Sequence, residues 1–145
     1  MAEPGITITR VFDAPRERVW KEWTEPQGFA DWFGGVEAEV PLSTVSMDVR
    51  PGGSWRATMY ADPGRREIHW KGEYREVVAP ERLVFTISDR PGEAYELITV
   101  VLTDLGNGRT EMLFQQRGGG LSPQEYARAG QGWSTFFDRM ADRLA

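Results

Sequence analysis

Between residues 36 and 116 the sequence alternates apolar and polar residues, and turn-forming residues interrupt this alternation at five points. Alternation with a period of two is typical of β-strands with one buried face. The interruptions contain Pro, Gly or Asn, which favour turns; they lie at residues 50–53, 62–64, 79–81, 90–92 and 106–108. The Asn-Gly pair in the last of them is a strong hairpin signal, because both residues accept positive φ. We therefore predict an antiparallel meander of about six strands here.

The residues before the meander predict one strand and two short helices. Residues 6–12 alternate and are rich in β-branched side chains, which favours a strand. Pro15 lies in the first turn of a helix, for which Asp13 or Ala14 is the cap residue. A second helix starts at residues 24–26 and ends before a glycine pair. The apolar residues with helical spacing are Val19, Trp20, Trp23, Phe29, Trp32 and Phe33.

The last block of the chain has the pattern of a long amphipathic helix. Ser122 and Glu125 form a capping box, and Pro123 occupies the first helical position. Gly130 and Gly132 weaken the helix by about 1 kcal/mol each relative to Ala. Beyond them, one apolar stripe contains Trp133, Phe136, Phe137, Met140 and Leu144.

This order of elements predicts an α+β fold, in which the long C-terminal helix covers one face of an antiparallel sheet. The length of 145 residues fits one domain over residues 1–145. If the sheet curls around the helix, a cavity forms between them. The aromatic residues, 12% of the chain with 6 Trp, then lie in a core, an interface or a ligand pocket.

Composition excludes several classes of function. Because the chain has 0 Cys and one histidine, His69, we expect no metal site and no cofactor. His69 directly precedes the inward Trp70 on the same predicted strand, so its side chain is expected to face solvent. The net charge of −5 and the scattered arginines argue against nucleic acid. No segment approaches the about 18 apolar residues of a membrane span, and no signal peptide is evident, so we expect no membrane insertion and a cytoplasmic protein.

Strand parity predicts which side chains face the helix. The inward sets are large and apolar, with the small residues Ala57 and Gly72 beside bulky ones, and they include Glu76, Gln116 and Arg10 as polar members. Apolar walls with a few convergent polar groups are typical of a ligand pocket; a closely packed core is the alternative. We expect ligand contacts from Trp32, Phe33, Trp55, Met59, Trp70, Tyr74, Glu76, Phe85, Met112, Phe114, Gln116, Trp133, Phe136 and Phe137. Phe29, Trp32 and Phe33 are placed near an entrance.

Several segments resemble the START-like helix-grip superfamily (SRPBCC), and within it the homologues of the activator of heat-shock protein 90 ATPase. They are residues 10–15, 19–20, 32–33, 50–53, 80–83 and 132–133. The resemblance implies a helix-grip fold with a deep apolar cavity under the C-terminal helix. Relatives include lipid carriers, plant hormone receptors, polyketide cyclases and a calicheamicin self-resistance protein. The eukaryotic chaperone activator resembles this chain in one domain only.

Three functions follow as hypotheses. The first is binding of a small hydrophobic molecule whose identity the sequence does not give. The second is a cyclase or hydrolase in which Glu76 acts as general acid or base; the lack of inward His, Cys and Lys favours a protein that is not an enzyme. The third is a chaperone-interaction module. The large number of Trp residues is compatible with an interface between two copies of the chain, that is, with a homodimer. The preference for Arg over Lys indicates a bacterial source.

Overall fold

A computed structural model of the chain describes residues 4–89 and 95–145. The strands are β1 (Gly5–Phe12), β2 (Ala38–Glu39), β3 (Ser46–Met47), β4 (Ser54–Ala61), β5 (Arg66–Val78), β6 (Arg82–Ile87), β7 (Glu96–Gly106) and β8 (Arg109–Arg117). The helices are α1 (Arg16–Thr24), α2 (Pro26–Trp32) and α3 (Pro123–Leu144), and single 3₁₀ turns cover Gly35–Glu37 and Leu42–Thr44.

The strands form one antiparallel sheet in the order β1-β8-β7-β6-β5-β4-β2, with β3 also paired to β4. Consecutive strands from β4 to β8 are neighbours, as expected for a meander, and β1 closes the other edge against β8. The predicted α+β helix-grip fold is confirmed. Five long strands and two strands of two residues follow the short helices, where about six strands were predicted. The turn predicted at residues 90–92 lies outside the described residues.

The two helix starts differ in how they are capped. At α3, Ser122 Oγ accepts from the Glu125 N–H at 3.1 Å and Glu125 Oε1 accepts from the Ser122 N–H at 2.9 Å, so the predicted capping box is confirmed. At α1, Pro15 is extended and is itself the cap residue, not a residue of the first turn. Neither Asp13 nor Ala14 caps the helix, because the Pro15 carbonyl accepts the first helical N–H groups. In the described part of the chain, no helix is both long and apolar enough to cross a membrane.

An aromatic cluster around Trp23 fills one end of the concave sheet face. The Trp23 ring lies 4.7 Å from that of Trp32 and 6.0 Å from that of Phe137, so it joins α1 to α2 and α3. It also contacts Phe85 and Phe114 on the sheet at ring distances of 6.0 and 6.2 Å. Its indole N–H donates to Met112 Sδ. The two short helices therefore contribute a large part of the core.

An ion pair fastens the end of α3 to this cluster. Arg143 Nε lies 2.6 Å from Glu22 Oε1, and Arg143 Nη1 lies 2.6 Å from Asp31 Oδ2. Glu22 is buried, whereas 31% of the Arg143 side chain is exposed. The hydrogen bonds to Glu22 raise the pKa of Arg143 above its ordinary value. The positive charge of Arg143 therefore compensates the buried carboxylate of Glu22 beneath the C-terminal end of α3.

Removing Arg143 should cost much more stability than removing its neighbour Arg139. We expect Arg143→Met to lower the free energy of unfolding by about 2–3 kcal/mol, because it leaves Glu22 buried without its cation, and Arg139→Met to lower it by less than about 1 kcal/mol. Arg139 forms an exposed ion pair with Asp31 at 3.5 Å and donates to the Asp31 carbonyl at 3.4 Å. Urea unfolding of the two variants measures these losses. Equal losses in the free energy of unfolding would show that the Arg143–Glu22 pair stabilises the fold no more than an exposed ion pair does.

Candidate functional site

A cavity of about 330 Å³ lies between the first half of α3 and the sheet. On the sheet side it is bordered by the end of β6, the start of β7 and the end of β8, where Ile87, Glu96 and Gln116 lie. It is therefore at the opposite end of α3 from the ion pair of Arg143. The full lining is Phe33, Trp70, Ile87, Ser88, Asp89, Glu96, Gln116, Gly119, Leu121, Ala129, Gly132, Trp133 and Phe136.

The helix wall of the cavity consists of two small residues followed by two large aromatic ones. Ala129, Gly132, Trp133 and Phe136 recur at intervals of one helical turn and so share one face of α3. A Cβ built on Gly132 would meet no heavy atom within 4 Å, so the space beside the helix is open at this position. The small side chains at Ala129 and Gly132 therefore leave open space between α3 and this end of the sheet.

A chain of hydrogen bonds joins the helix wall to the sheet wall. The Trp133 indole N–H donates to Gln116 Oε1 at 2.7 Å, and Gln116 Nε2 donates to Glu96 Oε1 at 3.2 Å. Gln116 and Glu96 are only 6% and 8% exposed. Because an indole can only donate, it fixes the orientation of the Gln116 amide, and the amide N–H then points at the carboxylate.

Two buried polar atoms in the cavity wall have no hydrogen-bond partner within the described part of the protein. They are Glu96 Oε2 and Trp70 Nε1; the third such atom is Arg117 Nε, outside the wall. Glu96 Oε2 lies against Gly119, where any side chain would overlap the carboxylate. Burial, and after it the Glu96 carboxylate, raise the pKa of the Tyr126 hydroxyl above its ordinary value.

Comparison with known families identifies the fold family. Residues 13–145 match the family described as Activator of Hsp90 ATPase homolog 1-like protein. The chain belongs to this family. The predicted relationship to the activator homologues and their helix-grip fold is thereby confirmed. No curated protein matches the sequence.

Solved structures of several bacterial proteins share this family fold. A protein from Chromobacterium violaceum superimposes with a TM-score of 0.84 at 25% identity, covering 97% of this chain and 96% of its own. The AHSA1 protein from Silicibacter pomeroyi gives 0.83 at 18% identity over 97% and 96% of the two chains. One from Nitrosomonas europaea gives 0.81 at 23% identity over 98% and 94%. The latter two likenesses concern the fold alone.

In this family member, the predicted ligand-contact residues divide into three groups. Five line the cavity: Phe33, Trp70, Gln116, Trp133 and Phe136. Eight are buried in the core away from its wall: Trp32, Trp55, Met59, Tyr74, Phe85, Met112, Phe114 and Phe137. The third group is Glu76 alone. Apart from Glu76, the predicted residues are thus buried or partly buried, but burial and contact with the cavity are different properties.

The aromatic residues of α1 and α2 explain why eight predicted residues lie in closed core. Phe29 and Trp32, which we placed near an entrance, are 2% and 0% exposed and occupy the concave face. The Phe29 ring is 5.6 Å from that of Trp55, which leaves only about 10 Å³ between this part of the sheet and the helices. That space is too small for a ligand.

The prediction that Glu76 faces the helix is wrong. A register shift in β5 between Tyr74 and Glu76 breaks the alternation, so the two side chains do not share a face. Half of the Glu76 side chain is exposed, and it pairs with Arg82 Nε at 3.2 Å on the outer surface. Arg10 also lies outside the cavity wall, half-buried and paired with Asp138 at 2.8 Å. His69 is exposed, as predicted.

Sequence reasoning missed the acidic residue of the site. Glu96 stands two residues before Ile98 on β7, so the same alternation that placed Ile98, Val100 and Leu102 inward also places Glu96 inward. This signal was present in the sequence. The other residues of the wall absent from the predicted site are Ile87, Ser88, Asp89, Gly119, Leu121, Ala129 and Gly132; most of them lie in connecting segments or are small.

Adjacent phenylalanines on α3 provide a test of the open space. Phe137 is fully buried, so Phe137→Ala should cost about 3–5 kcal/mol in unfolding free energy. Phe136 is half-buried and borders the cavity, so Phe136→Ala should cost less than about 2 kcal/mol. Chemical denaturation of both variants measures the difference. Similar large costs would mean that the space beside Phe136 is closed.

Proposed function

We propose that this protein binds a small, largely apolar molecule in the cavity beneath α3. The volume of about 330 Å³ lies in the range of ligand pockets, about 300–1,000 Å³. The aromatic side chains of Phe33, Trp70 and Phe136 provide most of the binding surface, and burial of apolar ligand surface against them supplies the free energy.

One observation carries the proposal: two of the three unpaired buried side-chain atoms found in the described residues belong to the wall of this one cavity. Folded proteins leave few buried polar groups without partners, because each such group costs about 1–3 kcal/mol. Both atoms have almost no accessible surface, so a bound molecule would pair with them once Glu96 or Trp70 turns toward the cavity.

The alternatives have less support. The cyclase or hydrolase hypothesis named Glu76, which points to the outer surface and pairs with Arg82. A chaperone contact is suggested by the family description alone, and it would leave the cavity unexplained. We infer a binding protein that acts in the cytoplasm, which is the location expected from the sequence.

Filling the cavity from the helix side should abolish binding without unfolding the protein. Calorimetric titration with naphthylmethanol, a neutral aromatic probe, is expected to give saturable binding to the wild type. Gly132→Leu places a side chain in the open space and should weaken binding by at least about tenfold, since each 1.4 kcal/mol of lost contact is a factor of ten. The same change should raise helix propensity and leave the fold intact.

Gly130→Leu is the matched control. Gly130 is on the same helix, but it faces Ile6 of β1 outside the cavity, where a Cβ makes an ordinary contact at 3.7 Å. This variant should bind the probe like the wild type, with both variants folded by circular dichroism. Undiminished binding by Gly132→Leu, or no binding by the wild type, would overturn the proposed function.

A further inference from the structure

The polar end of the cavity is acidic. Its polar side chains are the carboxylates of Asp89 and Glu96 and the neutral groups of Ser88 and Gln116. Among the lining residues that the structure describes, none is Lys, Arg or His. A ligand group placed beside Glu96 therefore meets a carboxylate whose side-chain hydrogen-bond donor among the described residues is the neutral amide of Gln116.

Glu96 is the most deeply buried carboxylate of this end. It is 8% exposed, its Oε1 accepts from the neutral amide of Gln116, and its Oε2 has no hydrogen-bond partner among the residues that the structure describes. The adjacent Tyr126 is a neutral phenol whose pKa is raised further by this carboxylate. A buried carboxylate surrounded by neutral groups lacks the charged partner that would offset its desolvation.

The neighbouring hydrogen bonds determine which ligand groups are accepted. Trp133 occupies Gln116 Oε1, so the amide cannot turn to offer its N–H elsewhere without breaking the 2.7 Å bond. A ligand carboxylate at this end would approach the Glu96 carboxylate and be repelled. An ammonium group has three donors and the opposite charge, and charge-assisted hydrogen bonds are about twice as strong as neutral ones.

We propose that the ligand is an amine: an apolar body in the aromatic part of the cavity carries a protonated amino group that binds Glu96. This inference rests on the proposed function, because it specifies the ligand class of the same cavity. Glu96 binds and orients the ligand through its carboxylate, and the Trp133–Gln116 chain positions that carboxylate.

Three naphthalene probes that differ only in their polar group test the proposal: naphthylmethylamine, naphthylmethanol and naphthoic acid. In calorimetric titrations at neutral pH, the wild type should bind the amine at least about tenfold more tightly than the alcohol, and the acid most weakly. The shared ring system keeps apolar burial constant, so the ranking reports the polar end of the cavity.

Glu96→Gln should remove the preference for the amine, lowering its affinity at least about tenfold while the affinity for the alcohol stays within about threefold. Glu76→Gln is the matched control, because it makes the same change in net charge at an exposed carboxylate outside the cavity. It should leave all three affinities unchanged. This comparison separates direct contact with Glu96 from a general effect of protein charge.

The outcomes distinguish the two proposals. If none of the probes binds the wild type, the proposed function itself fails. If all three bind with similar affinity, or if Glu96→Gln keeps the amine preference, the cavity binds apolar molecules and the amine inference is wrong. Should Glu96→Gln not fold, the ranking of the probes on the wild type decides alone, since a preference for the acid or the alcohol contradicts the inference.

Discussion

The structure depends on how one concave sheet face is covered. A single helix of 22 residues crosses this face, and it covers the two ends differently. At one end Trp23, Phe29 and Trp32 from the short helices fill the space between helix and sheet. At the other end the helix carries Ala129 and Gly132, and the described residues leave a cavity of about 330 Å³ there. The position of the cavity follows from this unequal filling.

The two ends of the concave face also differ in the partner of their buried carboxylate. The buried carboxylate of Glu22 at the filled end is paired with Arg143, which fixes the end of α3 on the short helices. The buried carboxylate of Glu96 at the open end has Gln116 as its hydrogen-bond donor. One buried carboxylate is thus paired with a cation and the other is hydrogen-bonded to a neutral amide, and the second of these borders the cavity.

Local sequence signals predicted most of the fold. Turn residues and alternation identified the hairpins, and the capping box identified the start of α3, because these features depend on a few neighbouring residues. The site was predicted less well. Parity along β5 failed after Tyr74, since a register shift changes the face of Glu76 and leaves no clear mark in the sequence.

The position of the cavity could not be read from the sequence for a different reason. It depends on the volume that Trp23 and its neighbours occupy across the sheet, which is a property of tertiary packing. Trp55, Tyr74 and Phe85 have the same parity pattern as Trp70, yet they border a gap of about 10 Å³, whereas Trp70 borders the cavity. Glu96 is the exception: its alternation with Ile98 could have identified it.

The most direct test of the account is a crystal structure of the protein soaked with naphthylmethanol, because it shows where an apolar molecule goes. The account predicts electron density for the ring between Trp70, Ala129 and Phe136, with the hydroxyl group toward Gln116 and Glu96. Density for the ring only on the outer surface, together with side chains that close the space beside Gly132, would contradict it.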